Sequence, residues 1–240
     1  LVVTGSAVGF RAVQQEQRRL DVQRNLMSVA GLLRPGMTPQ EIEAAYARYV
    51  EPRLLDLHSG VLLGADAAAN FDLSAALRSD TYSIALEGDE DVASIRRRSN
   101  KLPVYLVRND QRKIDMIILP IHGSGVWSMM YAFLAVETDG NTIRKFAYYR
   151  QGETPGLGGE IQNPNWSRNF TGRQLFNAQG TPALRLVQGG PQPGDIHGVD
   201  GLTGATLTAN GVQHTFDFWL SDMGFGPFLQ KVREGALKNG

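Results

Sequence analysis

The segment DGLTGATLTANGVQHTFDFW, Asp200 to Trp219, places small hydroxyl residues in a glycine-containing turn directly before an amphipathic helix. A helix beginning near Thr208 leaves its first backbone N–H groups without intrahelical acceptors and turns its positive end toward Asp200 to Thr206. Such a place suits a phosphate. Gly204 and Ala205 have almost no side chain, so a bulky ligand can approach the backbone there, and Thr206 offers a hydroxyl beside the anion. A plainer reading of the same residues is that Thr206 or Thr208 caps the helix, as Ser, Thr, Asp and Asn routinely do.

Other chemistry is hard to place. His58, His122, His197 and His214 are scattered, with no HExxH and no carboxylate at ligand spacing, so no metal site is expected. There is no Walker A loop, no GxGxxG opening a helix after a strand and no GxSxG elbow, and no side chain is assigned a catalytic role. The chain has no cysteine, which excludes disulfides, thiolate nucleophiles and protein-ligated iron–sulfur clusters; any redox chemistry must rest on a bound cofactor. The 24 basic and 24 acidic residues cancel, so no global field gathers nucleic acid or anionic lipid. The run Arg96-Arg97-Arg98 accordingly reads as a solvated face.

The elements that must position the turn can be read from pattern. The chain opens on LVVTGSAVGF, about half of the roughly 20 apolar residues that a membrane span requires. This run reads either as the end of a removed or truncated anchor or as a first turn or strand packed on the domain. Residues 12–30 suggest a helix. Thr38, Pro39 and Glu41 form a capping-box start, with Ile42, Tyr46, Tyr49 and Val50 on one face and Pro52 ending the helix. Residues 60–100 read as helix or loop connection. Two β-rich pairs follow, one turning at Asn109 and Asp110 and one at the DGN of residues 139–141. Residues 151–169 are too irregular for a strand and too long for a hairpin loop. A last helix runs from about Ala209 to Met223, its apolar stripe being Val212, Phe216, Trp219, Leu220 and Met223, with Gly224 as its stop. Helices and hairpins without a βαβ rhythm give an α+β class, antiparallel β-sheets flanked by helices.

DGLTGAT, Asp200 to Thr206, resembles the DxxTGAT sequence at which a flavin transferase attaches FMN through its phosphate to the final threonine. GETPGLGGEI, Gly152 to Ile161, is similar to the ETPGLG loop upstream of that site in the same proteins. With GVWSMMYAFLAV, Gly125 to Val136, and NPNW, Asn163 to Trp166, the pattern resembles the C subunits of sodium-translocating NADH:quinone reductases. The G subunits of Rnf electron-transport complexes share the two flavin motifs and are the near alternative; a non-redox binding or scaffold module is the distant one.

The resemblance implies one covalent FMN on Thr206 and an electron-relaying subunit that is not catalytic alone. It implies flavin contacts from Asp200, Thr203, Gly204, Ala205, Leu207 and Thr208, from Glu153, Thr154, Pro155, Gly156, Leu157 and Gly158, and from Trp127 and Ser128. Partner subunits would handle NADH, quinone and sodium, and a flavin transferase would act during maturation. The implied layout is an anchor end and connecting helix at 1–32, a helix-rich subdomain at 33–100 and an FMN-binding α+β domain at 101–240. The anchor would cross a bacterial inner membrane once and leave the soluble domain on the periplasmic side.

Overall fold

The chain enters through a long helix, α1 (Val3–Val29), in a computed structural model that describes residues 3–238. Leu1 and Val2 of the apolar opening run lie outside the described residues. Residues 9–21 of α1 are exposed, Phe10 and Val13 among them. Among its described side chains the inward stripe lies in the last turns: Leu26, Met27, Val29 and the following Ala30 are buried. Among the described residues no helix is long and apolar enough to cross a membrane.

The second helix, α2 (Pro39–Tyr49), starts on the expected capping box. The Thr38 amide donates to Glu41 Oε2 at 2.9 Å, and the Glu41 amide donates to Thr38 Oγ1 at 3.2 Å. It ends before Pro52, because Val50 already belongs to β1 (Val50–Asp56). Pro52 is tolerated within that strand because the next one, β2 (Val61–Leu62), pairs only with Leu55 and Asp56. Beside Pro52 the sheet therefore has an edge, where a missing N–H breaks no ladder.

Residues 60–100 are neither a long helix nor plain loop. They hold β2, the short helix α3 (Leu73–Leu77) and an antiparallel pair, β3 (Ser83–Ala85) and β4 (Arg97–Ser99). This pair overturns the solvated-face reading of the arginine run. Arg98 is buried and its Nη1 donates to the Met223 carbonyl at 2.7 Å, while Arg97 reaches Asp80 and Ser83. Alternation along a strand sends successive side chains to opposite faces, so one arginine of the run is forced inward.

Four long strands follow: β5 (Lys101–Arg108), β6 (Ile114–Ser124), β7 (Met129–Glu137) and β8 (Ile143–Arg150). They join the first two in a six-stranded antiparallel sheet of order β2-β1-β5-β6-β7-β8. Because β1 pairs with β5 along its length, the sheet draws on residues from both sides of position 100. Beyond β8 come short helical turns, including α4 (Pro164–Ser167), and a parallel pair of β9 (Arg185–Val187) and β10 (Gly198–Asp200). Two helices close the fold, α5 (Thr206–Trp219) and α6 (Gly226–Arg233). The first of them begins and ends earlier than its apolar stripe suggests. Met223 and Gly224 lie past its end, in a turn where the Phe225 amide donates to the Trp219 carbonyl.

The sheet is covered on both faces. Ile117, Leu119, Ala132, Leu134 and Phe146 meet Val212, Phe216 and Trp219 on one side. Ile118, Phe133 and Ala135 meet the end of α1 and Ile42 on the other. The period-2 register of β6 thus supplies two cores from one strand. We expect Met27→Ala, which empties a fully buried position, to cost about 2–5 kcal/mol. Phe10→Ala on the exposed half of the same helix should stay within about 0.5 kcal/mol of the parent. Urea unfolding monitored by circular dichroism compares the two directly, and equal losses would refute the assignment of α1 packing to its last turns.

Candidate functional site

The turn before α5 is built by its own residues. Asp200 Oδ1 accepts from the Leu202 amide at 3.0 Å, and the Asp200 carbonyl accepts from Trp166 Nε1 at 2.9 Å. Leu202 takes φ +59° and Gly204 φ +84°, so the chain reverses tightly before entering the helix. The N-cap is Ala205, and no side chain caps this end. Neither threonine plays the capping part. Thr206 is the first helical residue, two positions before the start expected from sequence, and it is exposed. Thr208 is buried and its hydroxyl donates to Glu153 Oε1 at 3.0 Å. The first amides of α5 have no intrahelical acceptors and no side chain to replace them, which leaves the positive end of the helix open to an anion.

Opposite this end stand the turn after β6 and the loop after β8, and both are organised by one carboxylate. Glu153 is only 5% exposed. Its Oε1 accepts from the Val126 amide at 2.6 Å as well as from Thr208, and its Oε2 accepts from the Trp127 amide at 3.0 Å and Ser128 Oγ at 2.8 Å. Burial by itself would raise the carboxyl pKa; the hydrogen bonds from Val126, Ser128, Trp127 and Thr208 together outweigh it and hold the group below the usual range. Ser128 Oγ also accepts from the Gly152 amide at 2.8 Å, which ties the base of the loop to the turn.

Close packing requires glycine at two places here. A Cβ on Gly158 would stand 2.4 Å from Thr208 Oγ1, and one on Gly125 would stand 2.2 Å from Glu153 Oε1. Gly158 has its side-chain direction taken by Thr208 of α5.

Between the two walls lies a cleft of about 430 Å³. Trp127, Thr154, Leu157 and Gly158 line one side, and Gly204 through Thr208 line the other. The two motifs, roughly fifty residues apart in the chain, thus face one space. Trp127, Leu157 and Leu207 are exposed there as large apolar groups, Trp127 by 75%. Val126 also lines the cleft and was missed, since its only sequence signal was its place between Gly125 and Trp127. The remaining predicted residues stand behind the walls. Glu153 and Ser128 hold the turn, Asp200 holds the reversal, and Thr203, Pro155 and Gly156 lie in the loops without lining the cavity. Among the described residues no lysine or arginine lines it, so an anion at this place is met by backbone amides. Among the described residues no group of histidines and carboxylates is arranged to hold a metal.

The family model for the FMN-binding domain matches residues 125–221, which begin at the Gly125 turn and end after α5. The chain is 59% identical over its whole length to the C subunit of the Na(+)-translocating NADH-quinone reductase of Yersinia pestis, covering 90% of that protein. It is 53% identical to the corresponding protein of Vibrio alginolyticus over 99% of this chain and 91% of the relative. Among solved structures, the crystal structure of NqrC from Shewanella oneidensis superposes with a TM-score of 0.83 at 35% identity, over 92% of this chain and all of the other.

Glu153→Gln sets an amide NH2 against at least one of the donors that the carboxylate accepts, and should cost about 1–3 kcal/mol near neutral pH. The Glu153 pKa is depressed in the fold, so its stabilisation is fully present above the unfolded value of roughly 4.3 and is lost as the pH falls through the folded value. Urea titrations of parent and variant should therefore converge at low pH. A gap that does not change with pH would show that Glu153 is not held ionised.

Proposed function

The chain belongs to the family of C subunits of the Na(+)-translocating NADH-quinone reductase, and on that basis we propose that it carries FMN in the 430 Å³ cleft, joined through its phosphate to Thr206. The volume falls within the range of small-molecule sites, roughly 300–1,000 Å³. The observation that carries the reading is the exposed Thr206 hydroxyl at the start of an uncapped helix, inside a cleft with exposed aromatic and aliphatic walls. Thr206 and Thr208 are two residues apart, a rotation of about 200° on a helix. Anchoring Thr208 on Glu153 therefore turns Thr206 away from the protein and toward the space where a phosphate would meet the free amides.

The chain's own residues have distinct parts in this proposal. The amides at the start of α5 hold the phosphodiester charge. Trp127, Leu157 and Leu207 cover an apolar ring system and keep water from it, and Thr154 hydrogen-bonds a polar ring edge. FMN, when bound, supplies the redox chemistry, and the protein sets its surroundings. The tether keeps the cofactor at high effective concentration where no free flavin replaces a lost one. In the assembled reductase this protein passes electrons between partner subunits, which handle NADH, quinone and sodium. An N-terminal anchor ties it to a bacterial inner membrane with the FMN-carrying domain on the periplasmic side, where a flavin transferase completes it. Membership in the NqrC family removes the Rnf alternative.

Protein purified from a host that supplies the transferase should be yellow, with in-gel fluorescence that survives denaturation. Its intact mass should exceed that of the bare chain by FMN less water. Thr206→Ala should lose both signals while keeping the parent's thermal melt. If the variant retains the mass increment, the attachment lies elsewhere; if the parent lacks it, the covalent proposal fails.

A further inference from the structure

The sheet face that receives α1 is covered only in part. Leu26, Met27 and Ala30 lie over Ile118, Phe133 and Ala135, but farther along the same face Tyr105, His122, Tyr131 and Tyr149 open onto a second cleft of about 350 Å³. Val22 of α1 and Leu73, Ser74 and Leu77 of α3 form its far wall. It shares no residue with the cleft at Thr206.

The lining is aromatic and its polar groups are free. Phe133 and Tyr149 stack with ring centroids 4.5 Å apart, and His122 stacks on Tyr131 at 5.5 Å. Among the described residues no hydrogen bond engages the hydroxyls of Tyr105, Tyr131 and Tyr149 or either ring nitrogen of His122. Burial pushes His122 down to about 4, so its imidazole is neutral near physiological pH and keeps one donor and one acceptor. The exposed Arg150 also lines the cleft, its guanidinium 4.1 Å from the Tyr131 ring centroid. It has no carboxylate partner among the described residues, and no Asp or Glu lines the cleft.

We propose that this cleft binds a flat aromatic molecule bearing an anionic group, its ring against Tyr149 and the edge of Tyr131, whose faces His122 and Arg150 already cover, and its charge on Arg150. A planar ring suits the aromatic edges left toward the cleft, since aromatic groups favour edge-to-face and offset contacts. A guanidinium already held against a ring offers its donors to an anion with little further loss of freedom. A cation would be repelled by Arg150 with no carboxylate to compensate. A purely aliphatic ligand would bury several hydroxyls and an imidazole without partners. The proposal is independent of the flavin assignment, since the two clefts are separate.

Isothermal titration calorimetry on the full chain carrying its flavin tests it, with naphthalenesulfonate as the anionic probe and naphthol as its neutral counterpart. The sulfonate should bind one per chain and about tenfold more tightly than naphthol, as expected for one charge-assisted contact. Arg150→Gln should abolish that preference, bringing the affinity for the sulfonate down to that for naphthol. Ser74→Trp, at an exposed wall position, should weaken both probes about tenfold by filling the space. Thermal melts confirm that both variants are folded. Equal affinity of the two probes for the parent, a preference that survives Arg150→Gln, or binding indifferent to Ser74→Trp would overturn the assignment.

Discussion

A carboxylate that is almost wholly buried must find a donor for each lone pair it exposes to the protein, and Glu153 finds four, drawn from two other segments of the chain. That requirement shapes the candidate site. It draws the turn at Val126 to Ser128, the loop beginning at Gly152 and the first turn of α5 to one point. Removing the charge would leave several buried donors competing for fewer acceptors. With the charge present the three segments have little freedom relative to one another, and the cleft between them is held open by what lies behind it.

The same interaction divides the labour between two threonines of one motif. Thr208 is used up as a donor to Glu153, and helical geometry then presents Thr206 outward. The two glycines at the junction serve this arrangement, since a methyl group on Gly125 or Gly158 would collide with Glu153 or Thr208. Trp127, whose amide donates to the carboxylate, has its ring left in the open. Residues that look alike as members of a binding motif therefore separate into those that face the cavity and those that brace it.

Beneath the site, the six-stranded sheet supplies rigidity and two unlike faces. One face is filled by α5 and the aromatic residues around Phe146, Phe170 and Phe216. The other is filled only where α1 ends, and the aromatic residues beyond it remain open with Arg150 beside them. The second cleft thus arises where α1 stops short of covering what the strands present, whereas the cleft at Thr206 lies between the turn after β6, the loop after β8 and the start of α5. The turn after β6 and the loop after β8 are carried on strands of the sheet and braced by Glu153, which is how irregular sequence can hold a fixed geometry.

Much was legible from sequence where a signal is local. The capping box at Thr38, the hairpins over residues 101–150 and the apolar stripe of α5 are consequences of neighbouring residues, and all appear in the structure. Pro52 misled because a proline ends a helix by the same chemistry that lets it occupy a sheet edge, and only the length of β2 decides between them. The arginine run misled because burial of Arg98 depends on the Met223 carbonyl, 125 residues away. Residue type and spacing sufficed for the class of the fold, the two flavin-type motifs and the small hydroxyl turn before a helix, since each of these is a local pattern. It took the folded chain to bring the motifs to one cleft, to face Thr208 inward and Thr206 outward, and to make Glu153 the common acceptor, because each depends on hydrogen bonds between segments about twenty-five to fifty-five residues apart.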